Sequence, residues 1–526
     1  MLFFLPDGHA QGHATTDWTQ TLTSSSRQLW GAMLAVDAHD AIYVTGTDPN
    51  YQIVTARLSA AGALQWQNGF AHAGTREQAS WLTVDAFGDV VVAGYSVVGA
   101  SRTPNGFATL KYDPAGNLLW SDFIQSTAGI LARVATDANG DVVVLGRDFS
   151  AGIVTIKYSR AGARLWTRTA SLSPFNVNAV GALAIGPSGN IYITGGVLGT
   201  LLTVAYDAAG TLLWSRTVPA AGSGADLALG PAEEVYVTGG AGGSAADRTL
   251  VVKFDAAGNL LWNNPYPGIN GYRIAVDGQG DVMVAAGQST GGYIDWITHK
   301  LSPAGARLWS ATYDRHRFND EIPYGLALGP DDEIYVTGQG GPGPTSGNVS
   351  DLRTVTVRYS RTGVEEWWLA SPLSLRGRGV AHLHDGSVAT VGESTFTVFH
   401  ARQSGVWQSV GGGVAGASGL PLLRGTGTPR STAPVGLELT RALPGAPAWL
   451  VAGAARVDLP VLGGILVPMP TVILGAFTVA PGGSIALPLT WPPLPSGAEL
   501  AFQFWILDAA GPFGVAAANG LLGVTD

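Results

Sequence analysis

Short apolar runs of Val, Ile, Tyr and Leu, each closed by glycine and separated by polar turns, recur along most of the chain. "DAFGDVVVAG" (85–94), "DANGDVVVLG" (137–146), "GPSGNIYITG" (186–195) and "GPDDEIYVTG" (329–338) share one order. A strand ends in Asp or Gly, the chain turns within about four residues, and a second strand re-enters. A third strand follows, as in "ATLKYD" (108–113) and "LVVKFD" (250–255), and "AGNLLW" turns into a fourth. Runs this short, punctuated by Gly, Asn and Asp, predict tight antiparallel hairpins rather than helices. A lone four-stranded sheet cannot cover both of its faces, so neighbouring copies must stack.

The copies are marked by a glycine with a Trp four positions later: Gly62/Trp66, Gly116/Trp120, Gly162/Trp166, Gly210/Trp214, Gly258/Trp262, Gly305/Trp309 and Gly363/Trp367. A degenerate copy, "SGVW", carries Gly405 and Trp407, and Trp18 begins the series. Four antiparallel strands per period of about 48 residues predict an all-β, eight-bladed β-propeller, seven-bladed if the last unit separates. Either the Trp18 strand or the "GVW" strand can close the ring. A Trp at every symmetric position reads as a filler between sheets.

The "GD/NVYVTG" and "KYDxxGxxxW" patterns resemble the bacterial SBBP-type β-propeller repeats over roughly residues 18–407. That resemblance implies an exported bacterial protein, a family mostly without assigned activity. "YDPAGNLLW" (112–120) is also similar to the docking motifs of eight-bladed quinoprotein dehydrogenases. It lacks their Thr-Gly-Lys core, and the chain lacks their vicinal cysteine pair.

Composition narrows the function classes. With 46% hydrophobic residues among 526, a large core can be buried, and 73 Gly with 30 Pro fit many turns. A net charge of -9 argues against a general nucleic-acid binder. The absence of cysteine excludes disulfides, thiolate chemistry and Cys-ligated metals. "MLFFLPDGHAQGHA" has an apolar run without a basic start, so residues 1–17 read as the remnant of an export signal. Residues 459–498 carry no charge, but Pro468 and Pro470 interrupt the apolar stretch 461–480, which predicts strands rather than a membrane span. The texture changes near residue 408. A Gly-rich linker (408–419) and a small C-terminal β-sandwich (420–526) are expected, the latter resembling modules on some exported bacterial proteins.

If repeated residues build the scaffold, the departures from symmetry are the functional candidates. The turns between second and third strands and the connections between blades vary, whereas the opposite set of turns is uniform; the variable face is the expected binding face. Its densest polar cluster is "YDRHRFNDEIPY" (313–324), with Asp314, Arg315, His316, Arg317, Asp320 and Glu321, and Arg376 and Arg378 can extend it. The cluster reads as a recognition patch, as a carboxylate-rich cation site if the loop folds back, or as a solvated loop with internal ion pairs. Five residues before each motif glycine stand Arg57, Lys111, Lys157, Ala205, Lys253, Lys300, Arg358 and His400, a column that contains every Lys in the chain. The expectation is that these stems pack along the sheet and their heads pair with carboxylates or turn carbonyls. "DANGD" looks faintly like a calcium loop but is a hairpin turn without a distal Glu. His382 and His384, with His400, read as packing residues. Inner-strand positions such as "LAVD" and "LALG" are expected to be mostly Ala, Val and Leu.

The expected protein is thus an exported, non-catalytic, monomeric binding or scaffold module at the cell surface or outside the cell, without a cofactor or metal site. Its partner is a protein or glycan, not nucleic acid. A propeller enzyme of quinoprotein-like or other type and a structural cell-envelope protein are the alternatives.

Overall fold

The computed structural model describes residues 14–525 apart from 23–32, 73, 99–102, 127–128, 149–151, 171–176, 198, 220–221, 241–247, 316–319, 330–331, 342–352, 372–375, 384–386, 393–396, 404–406 and 496. Among the described residues the secondary structure is strand throughout, except for a single 3-10 turn at Pro512–Gly514. No helix there is long and apolar enough to cross a membrane. The uncharged stretch forms strands, among them Gly464–Pro468 and Val472–Thr478.

Among the described residues, eight four-stranded antiparallel sheets follow one another, within 33–70, 76–125, 129–170, 177–218, 224–267, 270–313, 322–370 and 377–403, the last completed by Ala14–Thr21. The first strand of each sheet lies beside the first strand of the next, and Gly377–His382 returns to Met33–Val36, so the row closes on itself. The fold is a β-propeller, with the first strands innermost. Of the two strands that can close the ring, Ala14–Thr21 does so, with Trp18 opposite His400.

The repeated string accounts for the joints between sheets. In "DPAGNLLW" the Asp113 carboxylate accepts from the N–H groups of Ala115 (2.9 Å) and Asn117 (2.8 Å), a side-chain-stabilised turn. Gly116 then adopts φ 89°. A Cβ on Gly116 would lie 2.8 Å from the Trp66 ring of the preceding sheet, so only glycine lets that indole dock. Trp66 Nε1 donates to Pro114 O at 3.0 Å, two residues before the glycine. Trp18, Trp120, Trp166, Trp214, Trp262 and Trp309 make the same bond to the next sheet, to Ala60, Arg160, Ala208, Ala256, Pro303 and Arg361. The corresponding turn for Trp367 lies outside the described residues.

The basic column is a set of buried ion pairs. Lys111 Nζ is 2.8 Å from Asp85 and 3.2 Å from Asp89, with the side chains of Lys111 and Asp85 fully buried. Lys157 meets Asp137 and Asp141, Lys300 meets Asp277 and Asp281, Lys253 meets Glu234, and Arg358 meets Glu333. In "DAFGD" and "DANGD" the lysine head therefore stands where a calcium loop would place its ion. The side chains of His384 and His400 fall outside the described residues; His382 lies 5.8 Å from the Tyr335 ring.

Trp407 departs from the repeat. Trp407–Ser409 pairs with Leu521–Val524 rather than with the eighth sheet. Its ring packs edge-on against Trp491 at 5.4 Å and near Phe502, in a core shared by two C-terminal sheets. The stretch expected as a linker is also held there: Val410 N–H donates to Gly520 O, and Val414 and Ala517 bond each other in both directions. Val410 and Val414 are buried, which gives this glycine-rich segment apolar anchors that its composition hides.

Candidate functional site

The connection from the sixth to the seventh sheet folds back onto the sixth. Glu321 N–H donates to Ile294 O at 2.6 Å, and Ile294 N–H donates to the Asp320 carboxylate at 3.0 Å. This stitches the connection to the tip of the hairpin formed by Val282–Thr290 and Tyr293–Leu301. Glu321 is fully buried, and its carboxylate accepts from the N–H groups of Gly341 (3.1 Å) and Arg315 (3.2 Å). Asp314 follows the last strand of the sixth sheet, Arg307–Tyr313, and is exposed. One carboxylate oxygen from each of Asp295, Asp314 and Glu321 lies within 4.8 Å of the other two.

Burial pushes the Glu321 carboxyl up to about 7, against its backbone bonds, and the charges of Asp295 and Asp314 push the same way. Asp295 is raised by burial and by Asp314 and Asp320, with a bond to Thr290 opposing. The guanidinium of Arg315 turns away, to Glu365, and lies 4.9 Å over Trp368. Arg376 Nε donates to Gln339 Oε1 at 3.1 Å, and Gln339 Nε2 donates to Asp320 O at 2.8 Å.

Of the predicted residues, Asp314, Arg315, Asp320 and Glu321 thus share one place, and Arg376 reaches it through Gln339. His316 and Arg317 lie outside the described residues. Arg378 sits elsewhere, 4.4 Å over the Tyr324 ring. Asp295 was not foreseen. Its segment, "YIDWITHKL", reads as an ordinary strand, and the only signal was a lone acid in an otherwise apolar and aromatic start.

The inner strands also differ from expectation. Beside the Ala, Val and Leu expected at most positions, four of these strands carry larger or charged side chains at a bulge. Register shifts between Ala79/Trp81, Leu131/Arg133, Gly224/Asp226 and Gly271/Arg273 place a bulge in each of these strands, which re-aims the next side chain. Arg133 of the third sheet lies 4.0 Å over Trp81 of the second, and Arg273 of the sixth lies 5.8 Å from the same ring. Side chains from opposite sides of the ring therefore meet at the axis. Burial, with the charge of Arg273 adding to it, lowers Arg133 to about 10. Burial raises Asp226, with Arg273 and Arg133 opposing.

A Ser–His contact lies on the third and fourth strands of the sixth sheet. His299 Nδ1 is 2.8 Å from Ser310 Oγ and Nε2 is 2.8 Å from Pro267 O. His299 is fully buried, and burial lowers its pKa to about 4, with Arg307 adding and the Pro267 bond opposing. The ring is therefore neutral near pH 7, with Nε2–H donating to Pro267 O and Nδ1 accepting from Ser310. The unfolded chain takes up a proton near pH 6.5 that the fold refuses until about 4. Stability is thus unaffected above 6.5 and falls as pH drops through that window, by up to about 3 kcal/mol. His299→Gln should flatten this part of the profile in urea titrations at pH 7 and 4.5; an unchanged slope would contradict the neutral-ring assignment.

No protein-family model and no curated protein matches this chain. Among solved structures, the Dos1 propeller is similar with a TM-score of 0.49 at 8% identity, covering 76% of this chain and 97% of that one. The WD40 β-propeller domain of Doa1 is similar with a TM-score of 0.41 at 12% identity, covering 74% and 97%. A protein of unknown function from Bacteroides caccae is similar with a TM-score of 0.34 at 15% identity, covering 52% and 93%. The propeller assignment itself rests on the order and closure of the sheets.

Proposed function

We propose that this chain is an exported, non-catalytic, monomeric β-propeller of eight blades that holds a protein or glycan partner on its variable-loop face. A C-terminal β-sandwich serves as its attachment or spacing module. The observation that carries the reading is the patch between the sixth and seventh sheets. There Asp314, Asp320 and Arg376 are exposed beside a buried, hydrogen-bonded base, while the repeated polar residues are spent on joints and ion pairs. Preorganised polar groups on a rigid scaffold suit recognition. Export rests on the repeat resemblance. The non-catalytic reading draws support from the Ser310–His299 pair, whose imidazole is too weak a base near pH 7 to activate a hydroxyl.

The test is a glycan array and a pull-down with the full chain. For a ligand so found, the double variant Asp320→Asn and Arg376→Ala, which keeps an acceptor for Ile294 N–H, should bind about 10- to 100-fold more weakly, with the melting temperature nearly unchanged. Undiminished binding would move the site elsewhere. A bound-quinone absorbance band in the purified protein would favour an enzyme instead.

One observation favours the structural-envelope reading as a second. Val472–Thr478 ends its sheet, with Val472, Ile473 and Leu474 exposed. Such an apolar edge is a template for further pairing.

A further inference from the structure

The second and seventh sheets carry a glutamate at the same place in the repeat. Glu77 and Glu321 each stand two residues before the bulged pair of the inner strand, Ala79/Trp81 and Pro323/Gly325. Each N–H donates at 2.6 Å to the preceding hairpin, Glu77 to Tyr51 O and Glu321 to Ile294 O. Both side chains are fully buried.

Their surroundings differ in one consistent direction. Glu77 Oε1 collects His72 Nδ1 (3.0 Å), Thr75 Oγ1 (2.8 Å) and Ser96 Oγ (2.7 Å). Burial raises Glu77, but these bonds outweigh it and hold the carboxyl below its usual range. In the seventh sheet residues 316–319, which lead into Glu321, lie outside the described residues, and the described neighbours differ from those of Glu77. Arg315 stands at the position of His72, counted from the motif Trp, but commits its guanidinium to Glu365. Gly340 stands opposite Glu321 where Ser96 stands opposite Glu77. Neutral Gln52 and Ala71 are replaced by Asp295 and Asp314. Three carboxylates now converge where one was balanced from within the chain. Asp295 is only 3% exposed, and its buried Oδ2 has no hydrogen-bond partner. Glu77 also keeps Oε2 unbonded, but its neighbours are donors rather than acids.

We propose that Asp295, Asp314 and Glu321 bind a divalent cation of calcium's size, which fastens the connection into the seventh sheet. A buried, unbonded carboxylate oxygen beside two further carboxylates is costly unless a cation takes its lone pairs. Ligands on opposite sides of Ca²⁺ stand about 4.6–5.2 Å apart, against about 4.0–4.2 Å for Mg²⁺. Oxygens no more than 4.8 Å apart can all reach one calcium ion, and three carboxylates exceed the one or two that Mg²⁺ usually takes from protein. Asp314, being exposed, leaves an open side from which water completes the shell. The site is measured on the protein alone, so its failure and that of the partner-binding reading are separable.

The experiment is calorimetric titration of full-length protein, stripped with chelator, using CaCl₂ and then MgCl₂ at pH 7.5, with melting curves in parallel. One Ca²⁺ per chain, a raised melting temperature and a weaker Mg²⁺ response are expected. Asp295→Asn and Asp314→Asn should each weaken Ca²⁺ at least tenfold, while Glu438→Gln, exposed on the C-terminal strand Pro434–Thr440, should not. The stripped Asp295→Asn variant should melt no lower than the stripped parent, because one buried charge is gone. No Ca²⁺ heat and no melting shift in the parent, or an undiminished response in Asp295→Asn, overturns the site. Tighter binding of Mg²⁺ overturns the size assignment.

Discussion

Trp214→Ala should cost about 3–5 kcal/mol, the usual loss for truncating a buried Trp. Trp214 is 5% exposed and packs between Tyr192 and Phe254 at 6.0 and 5.8 Å. Its ring also faces Gly258, where an added Cβ would come within 2.5 Å, and its Nε1 donates to Ala256 O at 2.9 Å. The residue therefore joins the fourth sheet to the fifth through packing and a hydrogen bond together. Urea unfolding followed by circular dichroism measures the loss. Because the joint is shared by two sheets, hydrogen exchange should rise in both 177–218 and 224–267. A loss under 1 kcal/mol, or exchange confined to one sheet, would mean that the indole is not the joint.

Lys111→Ala should be as damaging, about 3–5 kcal/mol, for an electrostatic reason. Removing one partner of a buried pair strands the other. Here Asp85, 2.8 Å from the lost ammonium, is stranded, and Asp89, 3.2 Å from it, is left with Arg160 at 3.5 Å. Asp85 cannot turn to water, because its Oδ1 accepts from the N–H groups of Phe87 and Asp89 and holds the hairpin turn. The combination Lys111→Met, Asp85→Asn and Asp89→Asn should recover most of the stability, since neutral groups cost far less to bury. If that combination is as unstable as Lys111→Ala, the loss comes from packing and the charge argument fails.

Both variants act on features that the sequence displays openly, and the proposed cation site does not. The recurrence of Gly and Trp, the polar turns and the column of basic residues are local or strictly periodic. Each copy had to solve the same packing problem, so repetition exposed the solution. The expected pairing of the lysines with nearby carboxylates follows from the hairpin layout: Lys111 lies opposite Val91, and Asp85 opens the turn between Val84 and Val90 at the same end of the blade. The variable connection at 313–324 was legible too, because a cluster of charges stands out in a chain with 13% charged residues.

Three matters lay beyond such reading. Trp407 carries the letters of the repeat, yet it serves the C-terminal core, because Leu521–Val524 offers it a strand edge and Trp491 a surface. The axis holds Trp81, Arg133 and Arg273 because single-residue bulges re-aim side chains, and a bulge leaves no mark in the hydrophobic pattern. Asp295 joins Asp314 and Glu321 only when the connection folds back and Glu321 bonds to Ile294.

The sequence by itself determined the strand order, the turns, the joints and the face that varies, since these depend on neighbours along the chain and on the period. Only the tertiary structure decided which strand closes the ring, what fills its centre and which acids converge. Those outcomes depend on contacts between distant segments, where the gain from burial and pairing must outweigh the entropy of closing the loop between them.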